Sequence, residues 1–266
     1  MLDKSKNDSA GFNRRSFLTR ASLMGGALLL PRLGMGGEPE NDNDADDGVV
    51  LTPGDKRIIT AAIIAEALAV TTYSNIINTS PFFGTLADDD QEYLEAALNE
   101  EMSHYLLLES LVEKPTPFTA FYYPANMFKD IQTTLNILVT LEDAFIAAYL
   151  VGVRNFSHTA LRVSAARIMG IESDHRSLAR VIAGDLGLTA VTGAEGVAES
   201  ISPPNNNGYE RTLKWTKISQ AVAALTPFAD ATAAGNAGFD TGVSFAFHPF
   251  TPTLPSPLGD FISFGG

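Results

Sequence analysis

Four stretches of the chain carry apolar residues at helical spacing, and each is bounded by residues that start or stop helices. They cover residues 53–78, 88–113, 128–154 and 158–183. At the start of the first stretch, Thr52 can cap the helix, Pro53 suits its first position and Asp55 favours the positive end of the helix dipole. Helices of this length, about 38 Å at 1.5 Å per residue, have the scale of a long four-helix bundle.

The remaining segments lack this periodicity. Residues 114–125 contain three prolines, which exclude a helix there. Beyond residue 185 the chain becomes rich in Gly, Ser, Pro and Asn, and one further helix is predicted over residues 209–225. Residues 227–266 include seven Phe and no basic residue. We expect this tail, which is too apolar to remain in water, to pack on the bundle or on a neighbouring subunit.

Composition and charge narrow the classes of function. The chain of 266 residues contains no cysteine, which excludes disulfides, thiolate metal sites and a catalytic thiol. Its formal net charge is −13, so it lacks the excess of positive charge that is typical of proteins that bind nucleic acid or anionic membrane surfaces. We therefore predict no nucleic-acid partner.

The N-terminus has the pattern of an export signal. An Arg-Arg pair at positions 14 and 15 precedes a Phe-Leu pair and a mild apolar stretch over residues 21–30, which is too short to span a bilayer. The pattern resembles a twin-arginine signal peptide, which predicts residues 1–37 as the signal and residues 38–51 as an acidic linker. This resemblance implies export to the periplasm or the exterior, no membrane span in the mature protein, and a chain that folds around any cofactor before export.

Ionisable residues inside the apolar helices form an ordered set. The first and third predicted helices each hold a lone Glu, and the second and fourth each hold Glu-x-x-His. Positions i and i+3 are about 60° apart around a helix, so each Glu projects from the same face as its His. In chain order the residues are Glu66, Glu101, His104, Glu142, Glu172 and His175. Four buried carboxylates without counter-charge are very costly, and two divalent cations would balance them.

The pattern repeats within the chain. Tyr73 follows Glu66 by seven residues, and Tyr149 follows Glu142 by the same interval. Seven residues return to nearly the same helix face. A unit of Glu-x6-Tyr followed by Glu-x-x-His therefore occurs twice, which indicates a duplicated pair of helices.

One position in this set has two candidates. Glu100 lies four residues before His104 and also near its face, so it competes with Glu101. The second unit carries Glu only at the i−3 position, which favours Glu101 by analogy. The alternative to a metal site is that both Glu-x-x-His pairs lie on the surface and form ion pairs along their helices.

These motifs resemble the ferritin-like superfamily, and in particular the exported ferritin-like domain proteins that include plant desiccation-related homologues. The resemblance covers residues 52–186 and leaves an extension, residues 187–266, unexplained. It implies an all-α fold, with a four-helix bundle in which a long crossover joins the second and third helices, followed by a C-terminal helix and an irregular apolar tail. It also implies two divalent metal ions, iron or manganese, bound by the six residues.

A centre of this kind suits reactions with O2, peroxide or Fe(II), which predicts an oxidase, a peroxidase or a catalase-like protein. Tyr73 and Tyr149 are expected to hydrogen-bond bridging carboxylates or to donate electrons, unless they only fill the core. Asp143 and Asp174 are expected to orient the imidazoles, unless they are solvated. The alternative function is a non-enzymatic exported scaffold with a structural metal, whose apolar extension binds a partner. A storage cage of many subunits is less favoured, because the extension and the linker must both fit its shell.

Overall fold

The computed structural model describes residues 50–112, 120–188 and 213–253. The predicted signal peptide and most of the predicted acidic linker lie outside these residues. The helices are α1 (Pro53–Thr79), α2 (Asp88–Ser110), α3 (Ile131–Asn155), α4 (Thr159–Asp185), α5 (Ile218–Ala229) and α6 (Ala231–Asn236). Two strands, β1 (Ala120–Tyr123) and β2 (Asp240–Ala246), and a short 3-10 turn (Phe83–Thr85) complete the described elements.

The four long helices form two hairpins. Helix α1 packs mainly against α2, and α3 packs mainly against α4 across a connection of only three residues. The predicted mostly helical bundle is confirmed. Thr52 caps α1 as predicted, because its side chain accepts a hydrogen bond from the Asp55 backbone N–H. Helix α3 begins at Ile131, later than the predicted residue 128, because the Asp130 side chain accepts a hydrogen bond from the Thr133 backbone N–H and caps the helix there. At the end of α4, Gly187 adopts a φ of 64° and closes the helix.

Helices α1 and α3 supply much of the core. Both are long and apolar enough to cross a membrane by length and composition alone. However, 72% and 67% of their respective most apolar 18-residue windows is buried inside the structure. Core helices of water-soluble bundles pass the same test, so this apolarity is weak evidence for a membrane span and is explained by burial in the bundle.

The region beyond the bundle differs from its prediction in two respects. Within the described residues, the helix expected over residues 209–225 begins only at Ile218. The Gln220 side chain accepts hydrogen bonds from the backbone N–H groups of Thr216 and Lys217, and it caps the helix at that point. The helix also continues past Pro227 to Ala229, since a proline near a helix end removes only one hydrogen bond. In addition, the tail expected to be irregular contains β2, which pairs antiparallel with β1 from the crossover.

Aromatic packing fixes this two-stranded sheet to the bundle. The ring of Tyr123 contacts Phe128, Phe228 and Phe245, with ring centroids 4.9, 5.9 and 5.3 Å apart. Its hydroxyl lies 3.0 Å from Thr72 Oγ1 on α1. The described part of the tail therefore packs on the bundle, as its apolar composition predicts.

Asp55 joins the start of α1 to the turn between α3 and α4. Its Oδ1 accepts the backbone N–H of Ser157 at 2.9 Å, its Oδ2 accepts the Ser157 hydroxyl at 2.5 Å, and Oδ2 also accepts the Thr52 backbone N–H at 2.9 Å. Burial by itself raises the pKa of this carboxyl, but the hydrogen bonds from Ser157 and Thr52 outweigh it and hold the pKa well below its ordinary value.

Replacing Asp55 with alanine is expected to lower the free energy of unfolding by about 2–3 kcal/mol at pH 7, because a cap and charged hydrogen bonds are lost together. The depressed pKa stabilises the fold fully above the unfolded-state value of about 3.9, and this contribution is lost as the pH falls through the folded-state value. Urea titrations should therefore show the difference between wild type and variant narrowing in acid. Asp88→Ala, which removes an exposed carboxylate from the first turn of α2, is the control and should cost less than about 1 kcal/mol. Equal losses in the two variants would contradict the assignment.

Candidate metal centre

The six residues of the repeated motif meet in the interior between α1, α2, α3 and α4. Glu101, Glu142 and Glu172 have no exposed surface, and Glu66 is 2% exposed. The two imidazoles are also buried, with exposed fractions of 9% for His104 and 1% for His175. Surface ion pairs along single helices, the alternative interpretation of the two Glu-x-x-His motifs, do not fit this burial.

The ligand atoms form two overlapping groups. One consists of Glu66, Glu101, His104 and Glu172, and the other of Glu101, Glu142, Glu172 and His175. Within each group one candidate atom per residue lies within 4.8 Å of all the others. Ligands on opposite sides of an ion at about 2.2 Å are about 4.4 Å apart, so both groups have the size of a coordination shell. Glu101 and Glu172 belong to both groups, as expected for carboxylates shared by two ions.

Each histidine turns its Nδ1 atom toward the carboxylates. His104 Nδ1 lies 3.4 Å from Glu172 Oε1 and 3.6 Å from Glu66 Oε2. His175 Nδ1 lies 2.8 Å from Glu101 Oε1 and 3.4 Å from Glu172 Oε2. Glu101 and Glu172 therefore each place one carboxylate oxygen near His104 and the other oxygen near His175.

Eight buried atoms of this cluster make no hydrogen bond in the part of the chain that the structure describes. They are Glu66 Oε2, Glu142 Oε2, both carboxylate oxygens of Glu101 and of Glu172, and the Nδ1 atoms of His104 and His175. Buried polar atoms in folded proteins are almost always hydrogen-bonded, and each exception needs an explanation such as a bound ion. The eight atoms divide between the two groups of ligand residues, with three oxygens and one nitrogen in each group.

The two tyrosines hold the lone glutamates in a reciprocal arrangement. Tyr73 from α1 donates its hydroxyl to Glu142 Oε1 on α3 at 2.7 Å, and Tyr149 from α3 donates to Glu66 Oε1 on α1. Both tyrosines thus hydrogen-bond to carboxylates of the cluster, and their partners are the two lone glutamates. Each hydroxyl occupies one oxygen of a lone glutamate and leaves the other, Oε2, directed at the cluster.

Glu100 and Glu101 have separate places, which resolves the ambiguity on α2. Glu101 lies inside the cluster, whereas the Glu100 side chain is 41% exposed and its Oε2 lies 3.0 Å from His175 Nε2 on α4. Glu100 is therefore the carboxylate that orients an imidazole, a role expected for Asp143 and Asp174. Asp143 instead accepts a hydrogen bond from Arg176 Nε, and Asp174 is exposed.

Burial, mutual repulsion and the nearby imidazoles give the carboxyl groups of the cluster different pKa values. Burial, then the charges of Glu101 and Glu172, raise the pKa values of both lone glutamates, Glu66 and Glu142, well above the ordinary range. Burial also opposes ionisation of Glu101, but the charge of His175 and the close approach of both imidazoles outweigh it and lower the pKa of Glu101. Although burial disfavours charged imidazoles, contacts with the surrounding carboxylates raise the pKa of His104. In the metal-free protein, protons retained on the lone glutamates and on His104 thus offset part of the negative charge of the cluster.

Tyr93 on α2 was not identified from the sequence. Its ring centroid lies 6.3 Å from that of His175, and its buried hydroxyl has no hydrogen-bond partner among the described residues. The signal for it was present in the spacing, since Tyr93 precedes Glu100 by seven residues and His104 by eleven, which places all three near one face of the helix.

Comparisons with known proteins agree with this geometry. No curated protein matches the chain. Residues 54–185 match the family model described as the ferritin-like domain, a segment that contains α1 to α4 and all six clustered residues. Over these residues the chain is therefore similar to a ferritin-like domain, in line with the mostly helical bundle that the structure shows.

Proposed function

We propose that the bundle binds two divalent ions, iron or manganese, and that the loaded centre reacts with O2, peroxide or Fe(II). The observation that carries the proposal is the set of eight buried atoms without hydrogen bonds, divided into two groups of four. A donor set of carboxylates with one imidazole per ion suits both metals. When bound, a pair of such ions supplies reversible one-electron changes at two neighbouring centres, which suits two-electron reactions of oxygen species.

The protein's own contribution is to prepare the ligands. Tyr73 and Tyr149 fix the lone glutamates in orientations that leave one oxygen free. Glu100, through the Nε2 atom of His175, favours the tautomer whose Nδ1 lone pair faces the cluster. The surrounding buried side chains exclude bulk water, which strengthens electrostatic interactions at the centre.

The proposal is tested by following the reactions of loaded protein directly. Reduced iron-loaded protein mixed with O2 should show Fe(II) oxidation by stopped-flow absorbance without an added protein donor, and manganese-loaded protein mixed with peroxide should release O2. His104→Ala removes one ligand and should slow both reactions by at least about tenfold, while the helical circular dichroism is retained.

His158→Ala is the matched control, because His158 lies at the start of α4 against Val50 and outside the cluster. It should react at the wild-type rate. If both loaded forms are inert with full occupancy confirmed, the metal is structural and the scaffold alternative is favoured. The scaffold alternative relies on the apolar extension to bind a partner. In the described part of that extension, ring contacts within the chain already engage four phenylalanines, which favours the redox function over the scaffold. These residues are Phe228, Phe239, Phe245 and Phe247.

The export signal belongs to the same proposal. The Arg-Arg pair and the apolar stretch after it support a twin-arginine route to the periplasm or exterior, which would allow the metal to be inserted in the cytoplasm before export. The resemblance to exported ferritin-like proteins, including the desiccation-related group, points the same way. Replacing both Arg14 and Arg15 with lysine should leave the precursor in the cytoplasm. Unchanged export of that variant would exclude this route.

A further inference from the structure

We propose that a cavity beside the metal centre binds a small, neutral, apolar molecule. The cavity has a volume of about 180 Å³ and lies between α1, α3, α4 and α5, with the end of α2 at one side. It is distinct from the carboxylate cluster. Its lining includes several residues of α5, which lies beyond the segment that matches the ferritin-like domain.

The wall of the cavity is made almost entirely of hydrocarbon. Ile59 and Ala65 from α1, Phe145 from α3, Ile168 from α4 and Leu225 from α5 are representative of its lining, and all five are buried. An apolar cavity of about 150 Å³ in another protein stays dry and takes up benzene or xenon. A cavity of this size and lining therefore favours a ligand about as large as one substituted six-membered ring.

Three of the four polar side chains in the wall are already engaged, and the fourth, Ser164, offers only a neutral hydroxyl. The Tyr149 hydroxyl donates to Glu66, the Thr226 hydroxyl donates to the Val222 carbonyl at 2.6 Å, and Asp230 Oδ1 accepts the Ala233 backbone N–H at 2.8 Å. They offer little to the head group of a polar ligand, and burying such a group unpaired is costly. The nearby carboxylates of Glu66 and Asp230 also disfavour an anion. The cavity thus selects a neutral molecule without a charged end.

Tyr149 connects this cavity to the metal centre. Its ring forms part of the cavity wall, and its hydroxyl holds Glu66 in the cluster. A bound molecule would therefore pack directly against the side chain that fixes a ligand of one ion. Binding itself needs only the apolar wall, so it is independent of whether the proposed redox function is correct.

The test is a calorimetric titration of the full chain with toluene, with and without metal. We expect saturable binding of one molecule per chain in both states. Ala62→Leu and Val222→Phe, which place bulk into the cavity from α1 and α5, should each weaken binding by at least about tenfold. Ala166→Leu, on the exposed side of α4, adds the same volume outside the cavity and should bind as wild type.

Tyr149→Phe tests the packing of the cavity wall separately from the hydrogen bond between Tyr149 and Glu66. It retains the ring and should bind toluene normally, although Glu66 loses its donor. Absence of saturable binding to wild type, or unchanged binding to both filled variants with native circular dichroism, would overturn the proposal. If wild type fails to bind and is a dimer that Val222→Phe dissociates, the surface is instead an interface between two copies. Metal content, measured on the same samples, reports separately on the proposed metal function.

Discussion

Replacing Glu101 with alanine is expected to reduce the metal content of the protein from two ions per chain to fewer than one. Glu101 belongs to both groups of ligand atoms, so its loss removes one oxygen from each position, and it also removes charge that balances both cations. His175→Ala removes a ligand from only one group and should leave the other ion bound. Elemental analysis of protein purified in iron or manganese medium, after dialysis, measures the difference.

Glu95→Ala provides the matched control, because Glu95 lies on the exposed side of the same helix. Its metal content should equal that of wild type. If Glu101→Ala and His175→Ala both retain two ions per chain, the assignment of these ligands is wrong. If the two variants lose metal equally, Glu101 does not serve both positions.

Removing the metal is expected to lower the melting temperature by about 5–10 °C for each ion. An ion present at 100 times its dissociation constant stabilises the fold by about 2.7 kcal/mol, and in a protein of this size each kcal/mol shifts the midpoint by about 2–4 °C. The physical cause is local, since the metal-free cluster must neutralise its buried carboxylates with protons. Differential scanning calorimetry of metal-free and metal-loaded protein at neutral pH measures the shift.

The Glu101→Ala variant also serves as the control here. Added metal should leave its melting temperature nearly unchanged, which separates binding at the centre from weak binding to the acidic surface. Equal melting temperatures of loaded and metal-free wild type would show that the interior cluster is not the site of metal binding.

The helices and the clustered residues were predictable because they depend on local and periodic features. The capping of α1 by Thr52 depends on a few neighbouring residues, and the convergence of Glu-x-x-His motifs follows from helical periodicity. The duplication supplied a second copy of each motif, which favoured Glu101 over Glu100 before the structure separated the two side chains. These signals do not require knowledge of how distant segments pack.

Contacts between distant segments were not predictable in the same way. The pairing of β1 with β2 joins residues more than a hundred positions apart, and neither strand is long enough for its own periodicity to reveal it. The partner of Asp143 was missed for a related reason, because the sequence does not show that Arg176 on the next helix faces it. Tyr73 and Tyr149 were placed at the centre correctly, but their exact carboxylates depend on how α1 crosses α3.

The duplicated helix pairs are not identical, and their differences make the two proposed ion positions inequivalent. Aligning Glu101 with Glu172 matches Tyr93 to Ser164 and Glu100 to Ile171. On the His175 side, the aromatic ring and the carboxylate close the surroundings. Ser164, the counterpart of Tyr93, is small and lines the apolar cavity whose wall also includes Tyr149. We therefore expect one ion to be exchange-resistant and enclosed, and the other, bound by Glu66 and His104, to be the one that an incoming molecule approaches.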